Sequence, residues 1–354
     1  MRILERYIRR QIVGGTLIAI LVLATLIAFI ALVDQLDDVG RGSYSVGNAF
    51  EYVALRVPHF AYQVFPVAAL LGSLIGLGRL ANQSELIAMR AAGVSMRGIV
   101  IVVLKTGMYM LAVALLVGEG VAPLGDQAAT RLRVEAISEQ ITLKSRYGFW
   151  ARDRAAFINI RQILPGAKLR DIFIYEFNGA KELVLATHAR SAEYRGNAWL
   201  LKDIRQTRLQ KARTESQAYP FADWESLIDP ELLKVAVSPP DSLPAWGLYS
   251  YIRFMRENGQ DARLYEVTFW SKIITPLVTL MMLFLSVPFV FGSLRSAGIG
   301  QRVFAGTLIG MGFLLLNQAV GQVAVVYEMN PVLAVSFPAL LFFVIVIWYA
   351  RRQT

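Results

Sequence analysis

Cysteine is absent from the 354 residues, which excludes disulfides and thiolate metal sites within the chain and leaves an oxidising compartment permitted. Histidine is nearly absent: His59 and His188 lie too far apart in sequence, and in expected compartment, to build one site. No GxxxxGK motif followed by Ser or Thr is present, so nothing here cradles a nucleotide phosphate. The chain is therefore read as no enzyme, with no catalytic residue, no metal and no cofactor of its own. Basic clusters interleaved with exposed aromatics are also missing, so the net charge of +10 is not read as a nucleic-acid footprint.

What the sequence has is apolar length. Hydrophobic residues make up 55% against 18% charged, with a mean hydropathy of +0.47. The uncharged run 11–33 is followed by comparable runs at 57–78, 100–121, 269–294, 303–326 and 331–350. About 20 apolar residues at a 1.5 Å rise cross a hydrocarbon core of roughly 30 Å. The expected fold class is a polytopic α-helical membrane protein with six transmembrane helices and one inserted all-β domain. The basic start followed by an apolar run mimics a signal peptide, but the run is too long for a cleaved one and leads into further spans; it reads as a retained first helix.

Arginine placement gives the orientation. Arg2, Arg6, Arg9 and Arg10 precede the first span, Arg79, Arg90 and Arg97 separate the second from the third, Arg295 and Arg302 the fourth from the fifth, and Arg351 and Arg352 follow the last. All fall on one side, whereas the first loop carries Asp34, Asp37, Asp38 and Glu51 against Arg41 and Arg56, and the loop at Tyr327 carries only Glu328. The positive-inside rule then makes both termini cytoplasmic and the long insertion external. These flanks also explain much of the net charge.

Within 144–237 the apolar blocks give way to short alternating runs at 156–160, 171–177, 183–187, 198–204 and 217–224. Pro165-Gly166, Asn178-Gly179 and Gly196-Asn197 supply turns, so antiparallel strands with one buried face are expected, in a sandwich or an open curved sheet. Pro239, Pro240 and Pro244 close the segment, and 245–257 reads as an amphipathic helix with Leu248, Tyr251, Ile252 and Met255 on one face, stopped by Asn258-Gly259. The domain boundaries read as 1–122, 123–268 and 269–354.

Isolated polar residues near span ends receive structural readings. His59 is taken as interfacial or packed, Lys105 and Lys272 as snorkelling, Glu119 as lying near water, and Asp223 and Glu225 as a solvated strand face. Gly72 with Gly76, and Gly306 with Gly310, mark close helix contacts within the chain or with a partner. Pro66, Pro276, Pro288 and Pro338 interrupt helical hydrogen bonding and mark kinks.

The loop 79–93 carries more. Ser84 is placed to cap a short helix, about 83–93, that projects Leu86, Met89 and Arg90 at i, i+3 and i+4 and ends at Gly93. Such a helix serves either as a plain connector or as a knob for a groove on another protein.

Several motifs together carry a resemblance. They are Ser84-Glu85-Leu86, Met89 and Ala92-Gly93; Gly259-Gln260-Asp261-Ala262; Trp270-Ser271-Lys272 with Pro276; and Phe291-Gly292 with Leu294-Arg295-Ser296. Over essentially its whole length the chain resembles the LptF/LptG lipopolysaccharide-export permeases of an ABC transporter, and Val33-Asp34-Gln35-Leu36 sides with the LptG branch. The resemblance implies six spans plus a periplasmic β-jellyroll in the inner membrane of a Gram-negative cell. It implies an LptF-like permease partner, two copies of the LptB ATPase that bind the ATP, an LptC-like periplasmic subunit, and lipopolysaccharide as cargo.

By the same resemblance Ser84, Glu85, Leu86, Met89, Arg90 and Gly93 form the ATPase-coupling segment, and Arg131, Arg133 and Arg56 meet the lipid headgroup. Val64, Phe65, Phe313 and Gln318 face the acyl cavity. LptG relatives can carry lysines at the end of span one, where this chain has Ala31, Asp37 and Asp38. The competing readings are another ABC lipid or lipoprotein exporter subunit, a non-transporting envelope scaffold, and a membrane-embedded transferase.

Overall fold

The computed structural model describes residues 2–137, 149–153, 156–164, 168–180, 182–195, 198–210, 213–224, 239–291 and 298–351. The expectations placed on Pro165-Gly166, Gly196-Asn197, Glu225, Gly292, Leu294, Arg295, Ser296 and Arg352 lie outside these residues.

The apolar runs form long helices: α1 (Arg2–Leu36), α2 (Val46–Asn82), the short α3 (Glu85–Ala91), α4 (Met96–Leu116) and α5 (Ala122–Ile137), then α6 (Ala245–Glu257), α7 (Arg263–Phe291), α8 (Ile299–Val326) and α9 (Pro331–Arg351). Among the described residues five stretches are long and apolar enough to cross a membrane: Ile3–Leu36, Val46–Asn82, Met96–Ile137, Arg263–Phe291 and Gly300–Val326. The sixth expected span falls in α9, whose described apolar part, Pro331–Ile345, is shorter. Helices run on through Pro58, Pro66, Pro276, Pro288 and Pro338.

The middle helix of the bundle is α2, apolar around its circumference and buried from Val64 to Leu74. Glycine sets how closely α1 approaches it. A methyl group on Gly72 would lie 2.2 Å from the Thr16 nitrogen, and one on Gly76 would lie 2.7 Å from the Gln11 carbonyl oxygen. Gly306 and Gly310 receive Leu74 and Val67 of α2 in the same way. Both glycine pairs therefore serve contacts inside this chain. Arg302, read as part of the flank between the fourth and fifth spans, is fully buried, with Nη1 donating to the Gly78 carbonyl at 3.1 Å.

Between α4 and α5 the helix widens into a π-helical turn, Val117–Val121. One wide turn lets the helix continue beyond its apolar part as a polar stalk, α5.

The insertion holds one six-stranded antiparallel sheet in chain order: β1 (Phe149–Asp153), β2 (Ala156–Leu164), β3 (Lys168–Phe177), β4 (Leu183–Arg195), β5 (Ala198–Gln210) and β6 (Arg213–Trp224). Its buried face packs Ile158, Ile160, Ile172, Ile174, Trp199 and Ile204 into one core, joined by Phe254 of α6. A crease crosses the sheet. Arg161, Asp171, Arg190, Asp203 and Pro220 stand opposite one another on β2 to β6, and the ladder of paired residues skips all of them. Asp171 and Asp203 have φ of +50° and +52°, a left-handed conformation that aspartate tolerates better than branched residues. Inward positions change parity across this row: Ile172 and Ile174 against Leu169 on β3, Ala189 against Ala192 on β4, and Ile204 against Leu201 on β5.

Candidate functional site

The exposed short helix α3 lies at the end of the bundle that holds Arg79, Arg97 and Arg302. Its anchoring differs from expectation. Ser84 does not cap it: the residue sits at φ +57° and its side chain accepts no bond from the helix. The Ser84 carbonyl instead accepts from Ala88 at 3.0 Å and from Ile87 at 3.1 Å. Leu86 is buried in the main core and Met89 packs against it, so these two hold the helix down rather than present it outward. Glu85 accepts from the Tyr7 hydroxyl at 3.2 Å, tying α3 to α1. The helix closes with Gly93 N donating to Arg90 O and Val94 N to Met89 O, both at 3.0 Å, and Gly93 at φ +90°. This is the left-handed glycine stop, with Val94 and Met89 as its hydrophobic pair. What remains outward is Arg90 with Ile87, which is 53% exposed and which reading at i, i+3, i+4 passed over.

At the opposite end, where α2 begins and the stalk α5 rises, the expected headgroup arginines converge on carboxylates. Arg56 Nε donates to Asp126 Oδ1 at 3.0 Å, and His59 Nδ1 lies 2.8 Å from Asp126 Oδ2. Asp126 is buried; Arg56 hydrogen-bonds one of its oxygens, and the His59 ring, one turn along α2, stands against the other. His59 also lies 3.7 Å from Asp241, in the segment returning from the sheet. Arg133 binds Asp38 through both Nε and Nη2, while Arg41 Nη1 reaches the same carboxylate at 2.6 Å. The acidic end of span one thus positions two arginines and leaves the group one positive charge in excess. Nearby, Tyr44 donates to Gln35 at 3.2 Å, and burial pushes its hydroxyl pKa up. Arg131 stays exposed in an open depression of about 600 Å³ with Ser43, Asn48, Glu51 and Glu135.

The expected acyl-cavity residues divide. Val64, Phe65 and Phe313 are buried among this chain's own helices, Phe313 edge-on to Phe342 at 4.9 Å, whereas Gln318 is exposed. Exposed apolar side chains instead line α1 (Leu17, Leu21) and α8 (Leu308, Met311, Leu315).

Two lysines separate as well. Lys105 is exposed, 3.7 Å from Glu5. Lys272 is only 10% exposed and donates to Glu119 at 3.0 Å, so it does not reach outward as a free charge. The Gly259-Gln260-Asp261-Ala262 segment has a backbone reason. Gly259, at φ +65°, and Gln260 donate to Arg256 and Met255 carbonyls at 3.0 and 2.8 Å, turning α6 into α7. Glu266 then accepts from Arg256 at 2.7 Å, which raises the guanidinium pKa.

A bundle of membrane-length helices, an outward helix at one end, a polar belt at the other and an apolar-faced sheet define a polytopic helical membrane protein with an inserted β domain. Residues 6–352 match the family described as lipopolysaccharide export system permease LptF/LptG, and the chain belongs to that family. It is 36% identical to the lipopolysaccharide export system permease protein LptG of Haemophilus influenzae over 352 residues, covering 99% of this chain and 98% of that protein. It is 34% identical to the protein of the same name from Escherichia coli over 356 residues, covering 99% of each.

Proposed function

We propose that this chain is the LptG-type transmembrane subunit of the transporter that extracts lipopolysaccharide from the inner membrane and passes it toward the outer membrane. Both termini face the cytoplasm, α9 completes six spans, and the sheet belongs to a periplasmic jellyroll within 123–268, between helical segments 1–122 and 269–354. An LptF-like permease pairs with it, two LptB copies bind and hydrolyse the ATP, and an LptC-like subunit receives the lipid. The chain itself contributes no catalytic residue, metal or cofactor.

The observation that carries this reading is a family match along nearly the whole chain, joined to a sheet with one apolar face. The physical demand is plain. Moving acyl chains through water costs about 0.8 kcal/mol per methylene, hence roughly 10 kcal/mol for each dozen-carbon chain. Tails must therefore pass between apolar surfaces. The exposed faces of α1 and α8, with Gln318 at the edge, supply one wall, and Val64, Phe65 and Phe313 back it by packing. Lipid phosphates meet Arg131 and the Arg133–Asp38–Arg41 group, with Arg56 held behind them by Asp126. At the other end the helix from Glu85 to Arg90 transmits nucleotide-driven motion, with Leu86 and Met89 as its root and Ser84 and Gly93 as its ends.

The test is release of lipopolysaccharide from the reconstituted complex. Arg131→Glu with Arg133→Glu lowers lipid-dependent release several-fold while the complex still assembles; unchanged release removes these residues from the headgroup site. A complex in which release proceeds without this chain would refute the permease reading.

A further inference from the structure

Helix α6 lacks a cap of its own. The residue before it is Pro244, which has no side-chain acceptor, so the first N–H groups depend on something outside the helix. That acceptor comes from residue 119. Glu119 Oε2 accepts from the Ala245 N–H at 2.7 Å, and Glu119 Oε1 accepts from Lys272 Nζ at 3.0 Å. The carboxylate thus joins the turn after α4, the start of α6 and the body of α7. Its aim is built in. Glu119 sits on the π-helical turn, the preceding Gly118 lies so close that a methyl there would be 2.4 Å from the Tyr62 ring, and the same ring faces Lys272 Nζ at 5.9 Å. Downstream, α6 packs Phe254 against the core of the sheet.

We propose that Glu119 is a positioning residue for export: by capping α6 while paired with Lys272 it locks the sheet's return helix to the bundle, so that movement of α4 and α7 carries the sheet with it. This rests on the permease reading given above. The arrangement suits a carboxylate. Two donors converge on the side chain, each on its own oxygen, and a carboxylate turns an acceptor to both. Glutamine turns an acceptor to one and an NH2 donor to the other, so with Lys272 in place its oxygen is drawn to the ammonium and Ala245 loses its partner.

The test uses the full complex with its partner permease and ATPase in a bilayer, following hydrogen exchange at the start of α6 alongside lipopolysaccharide released per ATP hydrolysed. Glu119→Ala speeds exchange at Ala245 and Trp246 by about ten-fold or more, as loss of a charge-assisted hydrogen bond predicts, and lowers release per ATP several-fold. Lys272→Met leaves the cap in place and exchange near the native rate. Glu119→Gln alone loosens α6, whereas Glu119→Gln with Lys272→Met restores slow exchange, a rescue that a role in packing alone does not produce.

Native exchange in Glu119→Ala overturns the proposal. So does identical exchange in Glu119→Gln with and without Lys272→Met, or loosened exchange with release per ATP intact. If the alanine variant fails to assemble, the glutamine pair decides alone. A native complex in which the exchange series follows the stated order but no lipid is released overturns the permease reading and leaves the clamp standing.

Discussion

At the scale of single residues, charges far apart in the chain decide the polar belt. Asp126 is buried and bonded by Arg56, so Asp126→Ala removes the carboxylate that compensates the half-buried Arg56 guanidinium. The expected loss is about 3 kcal/mol or more, read as a lowered unfolding midpoint in detergent, and the double variant Arg56→Met with Asp126→Leu should recover much of it. Gly72 is a second sensitive position. Gly72→Leu drives a side chain into the Thr16 backbone and should separate α1 from α2, costing at least about 1–3 kcal/mol; unchanged melting would contradict the close approach. The glycine pairs are readable as contact surfaces because small residues four apart share one helix face and let another backbone approach it. The ion pairs were not readable, since Arg56 and Asp126 lie 70 positions apart and Arg133 and Asp38 lie 95 apart, with no local pattern to join them.

At the scale of elements, α3 separates support from display. Leu86→Ala should destabilise the chain by about 2–5 kcal/mol with little change in the outward surface. Ile87→Lys should leave folding intact and weaken co-purification of the ATPase, and Glu85→Lys should loosen the helix from Tyr7 and weaken it too. Co-purification at native levels in the Ile87 variant would rule out that face. The sheet shows why pattern reading stopped where it did. Runs found at 156–160, 171–177 and 198–204 break off at or near the crease at Arg161, Asp171 and Asp203, because alternation of buried and exposed residues reverses phase there. β3, β4 and β5 continue beyond the row with the opposite parity, so a period of two fits only one half of each at a time. Asp203→Val forces a branched residue into φ +52° and should cost about 1–3 kcal/mol, whereas Asp203→Gly should cost little; equal melting of the two would show that the crease does not depend on that conformation. The stalk α5 is not legible for another reason: its composition is mixed polar and apolar, and Pro123 and Gly125 in its first turn are break signals that the helix runs through.

At the scale of the whole molecule, apolar length made the helical bundle legible, and the polar insertion was legible by contrast with it. How the parts are fastened was not. Fastening runs through side chains contributed by different elements: Glu119 between α4, α6 and α7, Asp126 between α2 and α5, Phe254 between α6 and the sheet. The widened turn at Val117–Val121 has a consequence for all of them. It takes up one residue without turning what lies above it, because five residues at the wide spacing wind about as far as four at about 100° each. Excising Gly120, around which there is open space, would return the turn to ordinary helical winding and leave Asp126, Arg131 and Arg133 still facing the first two helices. The same deletion made inside the stalk would rotate every side chain beyond it by about 100°, so this turn is where the long helix tolerates the loss of a residue.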